Sequence, residues 1–347
     1  MSKHVTIKEV AAAAGISYQT VSKVLNHQVK VSTATEERIR KAAAELGYRP
    51  NLIARSLRSQ RSRMIGFSWE PTPPEQSNQI YTQFMESICY YSEAVGYHIL
   101  MFPYKPGSAW VNSYRDLIET NRVDGFILSS IEMNDARIPF LLEQSFPFVG
   151  FGRANPEWEF PYVDVDGAVG MRKVVEQLVS KGHRRIALIN WSETKSTSVG
   201  KNRMKGCMEA LNAAGIVVPS GWIALGEGDF AFAYQNALKW LQAPLASRPT
   251  AIITFSDVMA IGVMNAALKL GVRVGPELAI TGFDDSPPMQ YMIPGLSSVQ
   301  QPIWEVGRVA AEMLQGILND APPQNQSVLL EPSLVVRESS SYPAYSV

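Results

Sequence analysis

Two hydrophobic rhythms divide the chain. In the first fifty residues, apolar side chains recur at helical spacing. Thr6-Ile7-Lys8-Glu9 reads as a capping box, flanked by Val5 and Val10 as a hydrophobic staple, and predicts a helix to about Ala13. Gly15 supplies a turn, and Ser17 caps a second helix from Tyr18 to about Asn26. A third helix runs from Ser32 or Thr33 to Gly47, with Ile39, Ala43 and Leu46 on one face. From Met64 onward, short apolar runs alternate with helical stretches. Met64–Ser68, His98–Phe102, Gly125–Ser129, Phe148–Phe151, Arg185–Asn190, Ala251–Thr254 and Leu278–Gly282 read as strands. Tyr81–Val95, Gly170–Lys181, Lys201–Ala214, Phe232–Leu241 and Val258–Leu270 read as helices. This alternation predicts α/β architecture: parallel sheets with helices on both faces, split into two lobes with a ligand cleft beyond the strands' carboxyl ends.

Length and composition fit this division. The 347 residues allow two or three domains, and 46% hydrophobic with 18% charged residues is a globular composition. Two cysteines, Cys89 and Cys207, cannot build a disulfide framework. No run approaches a membrane span, and MSKHVTIKEVAAAAGIS has no apolar signal core, so the expected location is the cytoplasm. Charge adds more. Residues 1–63 carry 12 Lys/Arg against four carboxylates, a net of +8, while the remainder carries −8 within an overall net of zero. A small cationic module joined to an anionic body suggests a polyanion partner for the module alone.

Three short helices with a tight Gly turn between the first two form a helix-turn-helix. The plain alternative is an unspecialised three-helix bundle. Val21, Val24 and Leu25 form the buried stripe of the second helix, which turns Tyr18, Gln19, Ser22 and Lys23 outward. A Tyr-Gln pair at a helix N-terminus suits the end that enters a major groove, where Gln pairs with adenine and Lys reaches guanine or phosphate. Thr20 and Ser22 suit phosphate contacts.

The run VTIKEVAAAAGISYQTVSKVLN, followed by Val31-Ser32 and LGYRPNLIARSLRS, resembles the DNA-binding head of the LacI/GalR family of bacterial transcriptional regulators, without a gap from Val5 to about Ser59. The resemblance implies a homodimer on a palindromic double-stranded operator, with Tyr18, Gln19 and Lys23 reading bases. Thr6, Ser17, Thr20, Ser22 and Asn26 would hold the DNA backbone. Lys23 stands where Arg is commoner in the family, which removes a rigid bidentate fork. The segment 50–63 reads by itself as a solvated basic linker, since Asn51 caps only about two helical turns. The resemblance implies that it orders on DNA as a hinge helix in the minor groove. Leu57 would wedge between bases, Ala54 would form the helix–helix contact, Asn51 would belong to the same minor-groove hinge, and Arg55, Arg58, Arg61 and Arg63 would hold phosphates.

The body resembles the family's periplasmic-binding-protein-like core. The matching stretches are Val123-Asp124-Gly125-Phe126-Ile127-Leu128, Phe146–Val149 with Gly152-Arg153, Lys181-Gly182-His183-Arg184-Arg185-Ile186-Ala187, Thr254-Phe255-Ser256-Asp257, Gly282-Phe283-Asp284-Asp285 and Leu296–Pro302. The implied organisation is a helix-turn-helix domain at 1–49, a hinge at 50–63 and a two-lobed effector and dimerisation domain at 64–338. Its N-lobe spans about 64–161 and 292–323, its C-lobe about 162–291 and 324–338, and a loose tail occupies 339–347. The resemblance implies a cleft in which Arg203 and Asp284 bracket a vicinal diol, one donating and the other accepting. Phe230 would cover the sugar face, and Ser256, Ser129, Arg153, Asn78, Tyr81 and Trp69 would complete the effector site. The expected effector is a sugar or sugar derivative, while the resemblance also leaves open nucleobases and phosphorylated ligands.

Other chemistry finds no support. His4, His27, His98 and His183 are scattered, so no zinc site is expected, and no cofactor is implied. Gly226-Glu227-Gly228 lacks a third glycine, and neither a Walker lysine loop nor G-x-S-x-G occurs. The expectation is therefore a non-enzymatic regulator, most simply a repressor. A solute-capture protein of a transport system shares the two-lobed core, but the absent export signal and the +8 module count against it. A sugar-processing enzyme would need an acid–base pair or phosphate loop. The closing stretch has no leucine heptad, which favours a dimer over a helix-bundle tetramer.

Overall fold

A computed structural model describes residues 5–25, 29–48, 61–69, 79–104, 110–192 and 198–344. The chain divides into two compact units, Met1–Ser62 and Arg63–Val347.

The first unit packs α1 (Ile7–Ala14), α2 (Tyr18–Leu25) and α3 (Thr33–Glu45) around Val10, Val21, Val24 and Ile39. The capping box forms: the Thr6 backbone N–H and hydroxyl both donate to Glu9 Oε2, at 2.7 and 2.9 Å. Gly15 ends α1 at φ 60°, where a side chain would be strained. Ser17 and Ser32 cap α2 and α3 by accepting from the Thr20 and Thr35 amides. Two expectations change. Ser22 is buried rather than outward, because the short α2 packs against both α1 and α3 and its covered arc extends one residue past Val21. Leu46 is exposed, because α3 stops at Glu45 and Ala42 takes its place beside Ile39 and Ala43.

The second unit holds two six-stranded sheets. The N-lobe sheet contains β1 (Met64–Trp69), β2 (His98–Pro103), β3 (Gly125–Leu128), β4 (Phe148–Phe151), β5 (Tyr162–Val165) and β11 (Ser327–Leu330) in the order β11-β5-β4-β3-β1-β2, parallel throughout. Helices α4 (Gln79–Ala94), α5 (Trp110–Glu119), α6 (Arg137–Glu143) and α11 (Ile303–Leu318) belong to this lobe. The C-lobe sheet contains β6 (Ile186–Trp191), β7 (Ile223–Gly226), β8 (Ala251–Thr254), β9 (Ala279–Asp284), β10 (Ser297–Gln300) and β12 (Ser333–Val335) in the order β12-β10-β9-β8-β6-β7, with β12 alone antiparallel. It carries α7 (Gly167–Ser180), α8 (Ser198–Ala213), α9 (Phe230–Leu241) and α10 (Asp257–Lys269). The central strands are apolar on both faces, as helix-covered parallel strands must be.

The lobe limits differ from the expected ones. Tyr162–Val165 pairs with β4 and with Ser327–Leu330, so both strands lie in the N-lobe, while Ser297–Gln300 pairs with β9 in the C-lobe. The chain therefore crosses between lobes after Val165, Gln300 and Leu330, several residues beyond the positions read from sequence. These strands are only four residues long and each carries Ser or Asp, so their pairing partners, not their own pattern, define them. The loose tail is also corrected. Ser339 and Ser340 are buried, with Ser339 Oγ donating to Ile280 O and Ser340 Oγ bonded to Ser297 Oγ, both at 2.7 Å, and the Ala344 amide donates to Lys181 O. Among the described residues, no helix is long and apolar enough to cross a membrane.

Candidate functional site

The helix-turn-helix offers one surface. Gln19 and Lys23 are exposed, a turn apart on α2. Tyr18 is half-buried against the helical core, so its body is anchored there. Ser17 and Thr20 share a 2.8 Å hydroxyl–hydroxyl bond at the helix start, and Thr6 is exposed at the start of α1. Ser22, buried under α2, is not placed to hold phosphate. Asn26, Asn51, Ala54, Arg55, Leu57 and Arg58 lie outside the described residues.

The second candidate is a cavity of about 330 Å³ at the carboxyl ends of both lobes' strands. The N-lobe contributes Tyr81 and Phe84 from α4, Ser129 and Ile131 after β3, Phe151 and Arg153 after β4, and Asp164 on β5. The C-lobe contributes Trp191 at the end of β6, Ser198, Asn202 and Arg203 on α8, and Phe283-Asp284 at the end of β9. Gln301 enters from the crossover after β10. Aromatic walls with a few convergent charges are the usual make-up of a small-molecule site.

Arg203 is the centre of the C-lobe wall. Its side chain is 6% exposed, lies flat on Gly167, and stacks its guanidinium 3.5 Å from the Phe283 ring centroid and 5.7 Å from Trp191. Gly167 is required there, because a Cβ would stand 2.9 Å from Arg203 Cγ. Nη1 donates to Phe255 O, and Nη2 lies 3.6 Å from Asp284 Oδ1. Nε has no hydrogen-bond partner among the described residues, nor has Ser198 Oγ. Unsatisfied buried groups beside a cavity are places where a ligand can complete the bonding. Asp284 sits at φ 124°, a strained value for a residue with a side chain, and accepts from Gln301 Nε2 at 2.7 Å. Burial pushes the Asp284 carboxyl above its ordinary range, while Arg203 pulls it back. Its neighbour Asp285 points elsewhere and pairs with Arg337 at 2.6 Å.

The opposite wall is built on Arg153. Its Nε donates to Asp164 Oδ2 at 2.7 Å. The Asn202 amide, oriented so that both groups are satisfied, presents its oxygen to the Arg153 Nη atoms from the facing lobe. Burial raises the Asp164 carboxyl, and Arg153 opposes this. The Tyr81 hydroxyl, raised well above its usual range by burial, faces Ser129. Behind Ser129, Arg137 is 1% exposed and pairs with buried Asp135 at 2.6 Å. It also donates to Ser129 O at 2.9 Å and Ser68 Oγ at 3.2 Å, which fixes the strand end that shapes the cavity.

Arg203, Asp284, Arg153, Ser129 and Tyr81, all expected from sequence, therefore line one cavity. Three other expectations do not hold. The Phe230 ring is 40% exposed and stacks on Tyr234 at the start of α9, away from the cavity. Trp191 and Phe283 provide the C-lobe aromatic surface instead. Ser256 is the N-cap of α10, its hydroxyl committed to the Met259 amide. Trp69 ends β1 with its carbonyl accepting from the Tyr104 amide, and it does not line the cavity. Asn78 lies outside the described residues. Asp164, Asn202, Trp191 and Gln301 were not anticipated. Asp164 had a faint signal in the alternation of Tyr162-Val163-Asp164-Val165, where a carboxylate interrupts an apolar run. His183 is structural: it is buried and shares a 3.1 Å bond with Thr250 Oγ1. Among the described residues, no group of three or more His, Cys, Asp or Glu is placed to hold a metal ion.

Residues 6–51 match the family described as bacterial regulatory proteins, lacI family, and residues 175–340 match the periplasmic binding protein-like domain. The chain is 31% identical over 340 residues to the HTH-type transcriptional repressor CytR of Escherichia coli strain K12, covering 96% of each. It is 31% identical over 345 residues to the ribose operon repressor of Haemophilus influenzae, covering 96% of this chain and 98% of that one. Among solved structures, a LacI-family regulatory protein from Chloroflexus aggregans is similar at 46% identity and TM-score 0.77, over 82% of this chain and 100% of the other. The lac repressor dimer bound to operator and the anti-inducer ONPF is similar at 26% identity and TM-score 0.80, over 97% and 99%. The transcriptional regulator CelR in complex with cellobiose is similar at 28% identity and TM-score 0.72, over 97% and 100%.

Proposed function

The chain belongs to the LacI family of bacterial regulatory proteins, and from that membership we propose that it is a transcriptional repressor. Its homodimer binds a palindromic operator, and a sugar in the interlobe cavity changes its grip on DNA. The observation that carries this reading is the union, in one chain, of a helix-turn-helix within a +8 segment of residues 1–63 and a cavity that places Arg203 against Asp284. Gln19 and Lys23 face outward and suit base edges; Tyr18 leans over the same helix start, and Thr6, Ser17 and Thr20 suit the backbone. Asn51, Ala54, Arg55, Leu57 and Arg58 serve as the minor-groove hinge by their match to the family pattern. In the cavity, Asp284 accepts hydroxyl protons and the open Arg203 Nε donates to ring or hydroxyl oxygen. Trp191 and Phe283 cover apolar ring faces.

The coupling is a difference in sugar affinity between two arrangements of the lobes, of which the DNA-competent one binds sugar differently. The relatives' names support a sugar: one is a ribose operon repressor and another was solved with cellobiose. Relatives matched over nearly the whole chain are transcriptional regulators, which favours sensing over catalysis. The test is selection of a bound sequence from a library of palindromic duplexes, followed by fluorescence anisotropy on that sequence with a panel of sugars. A selected palindrome whose complex responds to a sugar supports the reading. Failure to retain any duplex at low ionic strength overturns it.

A further inference from the structure

We propose that the cavity selects uncharged polyhydroxylated ligands over their phosphorylated or carboxylated counterparts, and that Asp164 sets this preference as a second hydroxyl acceptor across the cavity from Asp284. The proposal rests on the sugar-effector reading above and narrows its chemical class.

Among the described residues lining the cavity, the charged side chains are Arg153, Asp164, Arg203 and Asp284. They sum to zero, and each guanidinium already faces a carboxylate, at 2.7 Å for Arg153–Asp164 and 3.6 Å for Arg203–Asp284. Arg153 is partly committed: its Nε is held by Asp164, and one N–H of each Nη faces the Asn202 oxygen of the opposite lobe. Arg203 keeps one donor unpaired among the described residues, its buried Nε, but it is surrounded by negative charge. Asp284, Asp164 and Asp257 all act on it. Asp257 stands behind the wall, 2% exposed, held by the Ser298 hydroxyl and the Ser286 amide.

A phosphate entering this space must shed its hydration beside the Asp164 and Asp284 carboxylates that line it. Its counter-charge would have to come from a guanidinium that gives up a buried carboxylate partner. Leaving a buried carboxylate unpaired is among the costlier events in a protein interior. A neutral polyol meets none of these costs. Its hydroxyls donate to Asp164 and Asp284, whose oxygens keep lone pairs after the bonds already made, and they accept from Arg203 Nε. Asp164 is suited to the role because it is fixed. Oδ1 accepts from the Val165 amide at 2.8 Å and Oδ2 from Arg153, so the carboxylate is aimed before the ligand arrives. Acceptors on both lobes give a ligand with hydroxyls at two ends a reason to hold the lobes in one disposition.

The test uses the full chain and a fixed panel: ribose, glucose, galactose and cellobiose against ribose 5-phosphate, glucose 6-phosphate and gluconate at matched ionic strength. Binding is read by thermal shift and by tryptophan emission, since Trp191 lines the cavity. An uncharged member should bind about 100-fold or more tightly than its anionic counterpart. Asp164→Asn should weaken that sugar by roughly 10- to 100-fold and narrow the ratio. A phosphorylated or carboxylated member binding as tightly as its neutral counterpart overturns the proposal and leaves the sugar reading standing. Unchanged sugar affinity in a folded Asp164→Asn protein overturns the assignment to Asp164. If that variant does not fold, the ratio in the unaltered chain decides the selectivity, and Asp164→Ser repeats the residue test. Binding by neither class overturns the sugar reading and the proposal with it.

Discussion

Replacing Gly206 by Ala tests whether the placement of Arg203 depends on how closely two helices approach. Gly206 lies on α8, three residues after Arg203 and four after Asn202, where α8 packs against α7. A Cβ there would stand 2.3 Å from Ala168 O, 2.4 Å from Ala168 Cα and 2.6 Å from Ala168 C. These are backbone atoms and cannot rotate away, so α8 must retreat by about 1 Å to reach ordinary contact. Helix propensity favours Ala over Gly by about 1 kcal/mol, while overpacking costs about 1–3 kcal/mol and more when backbone must move. The net expectation is a loss of about 1–2 kcal/mol. The same retreat draws Arg203 off Phe255 O and stretches its 3.6 Å approach to Asp284 beyond pairing distance. Sugar affinity should therefore fall about tenfold or more, since misplacing a binding group by 1 Å removes most of its directed bonding. Gly221→Ala is the control: nothing lies within 4 Å of its added Cβ, and its stability should stay within about 0.5 kcal/mol. The assay is denaturant unfolding of the two variants beside the parent, with sugar titrations followed by tryptophan emission. A Gly206→Ala protein as stable as Gly221→Ala, and binding sugar normally, would refute the close-approach reasoning.

Arg203→Ala removes the counter-charge of Asp284 and leaves buried carboxylates unpaired, so stability should fall by about 3 kcal/mol and the sugar response should vanish while operator binding by the unliganded dimer persists; an intact sugar response in operator anisotropy would rule out the cavity assignment. Burial pushes the His183 imidazole down to about 4, so below its unfolded value of 6.5 the unfolded chain takes up a proton that the folded chain refuses. Stability should therefore be lost as pH falls from 6.5 towards 4, by up to about 3 kcal/mol, and unfolding curves of His183→Asn should lack that component relative to the parent. Gln19→Ala should cost about 1–3 kcal/mol on the selected operator and relax preference at one base position, whereas Lys23→Ala acting only on phosphate would lower the salt slope by about 0.9. Equal losses on all duplexes for Gln19→Ala would place it on the backbone instead.

Much of the fold was legible because helix-covered parallel strands are apolar on both faces. Gly125–Leu128 and Ala251–Thr254 are fully buried and stand out as unbroken apolar runs. The strands at and beside the lobe crossovers were not legible. Tyr162–Val165, Ser297–Gln300 and Ser327–Leu330 carry Asp and Ser, and residues far away in sequence complete their pairing. Ser297 shows why: its hydroxyl donates to Arg337 O and meets Ser340 Oγ, so a buried polar residue is satisfied by a segment forty residues on. A pattern read along the chain scores such a residue as surface, which is also why the closing segment read as loose.

The same limit governs the cavity. Arg203 and Asp284 stood out because each follows a recognisable local signal, a basic-Gly helix start and a Gly-Phe-Asp-Asp strand end. Ser256 and Phe230 shared that kind of signal and failed, since helix initiation competes for the same residues. Ser256 spends its hydroxyl on the Met259 amide, and Phe230 opens a helix capped by Asp229. Asp164 had only a faint signal of function and Asn202 none, because their role is created by Arg153, which binds one within its own lobe and the other across the cavity. Motif reading therefore finds groups that the local backbone orients and misses groups that only the meeting of the two lobes brings into play. In a protein whose ligand acts by altering that meeting, the second kind carries the specificity. This is why exchanging Asp164 discriminates between ligand classes, whereas exchanging Arg203 tests only whether the cavity binds at all.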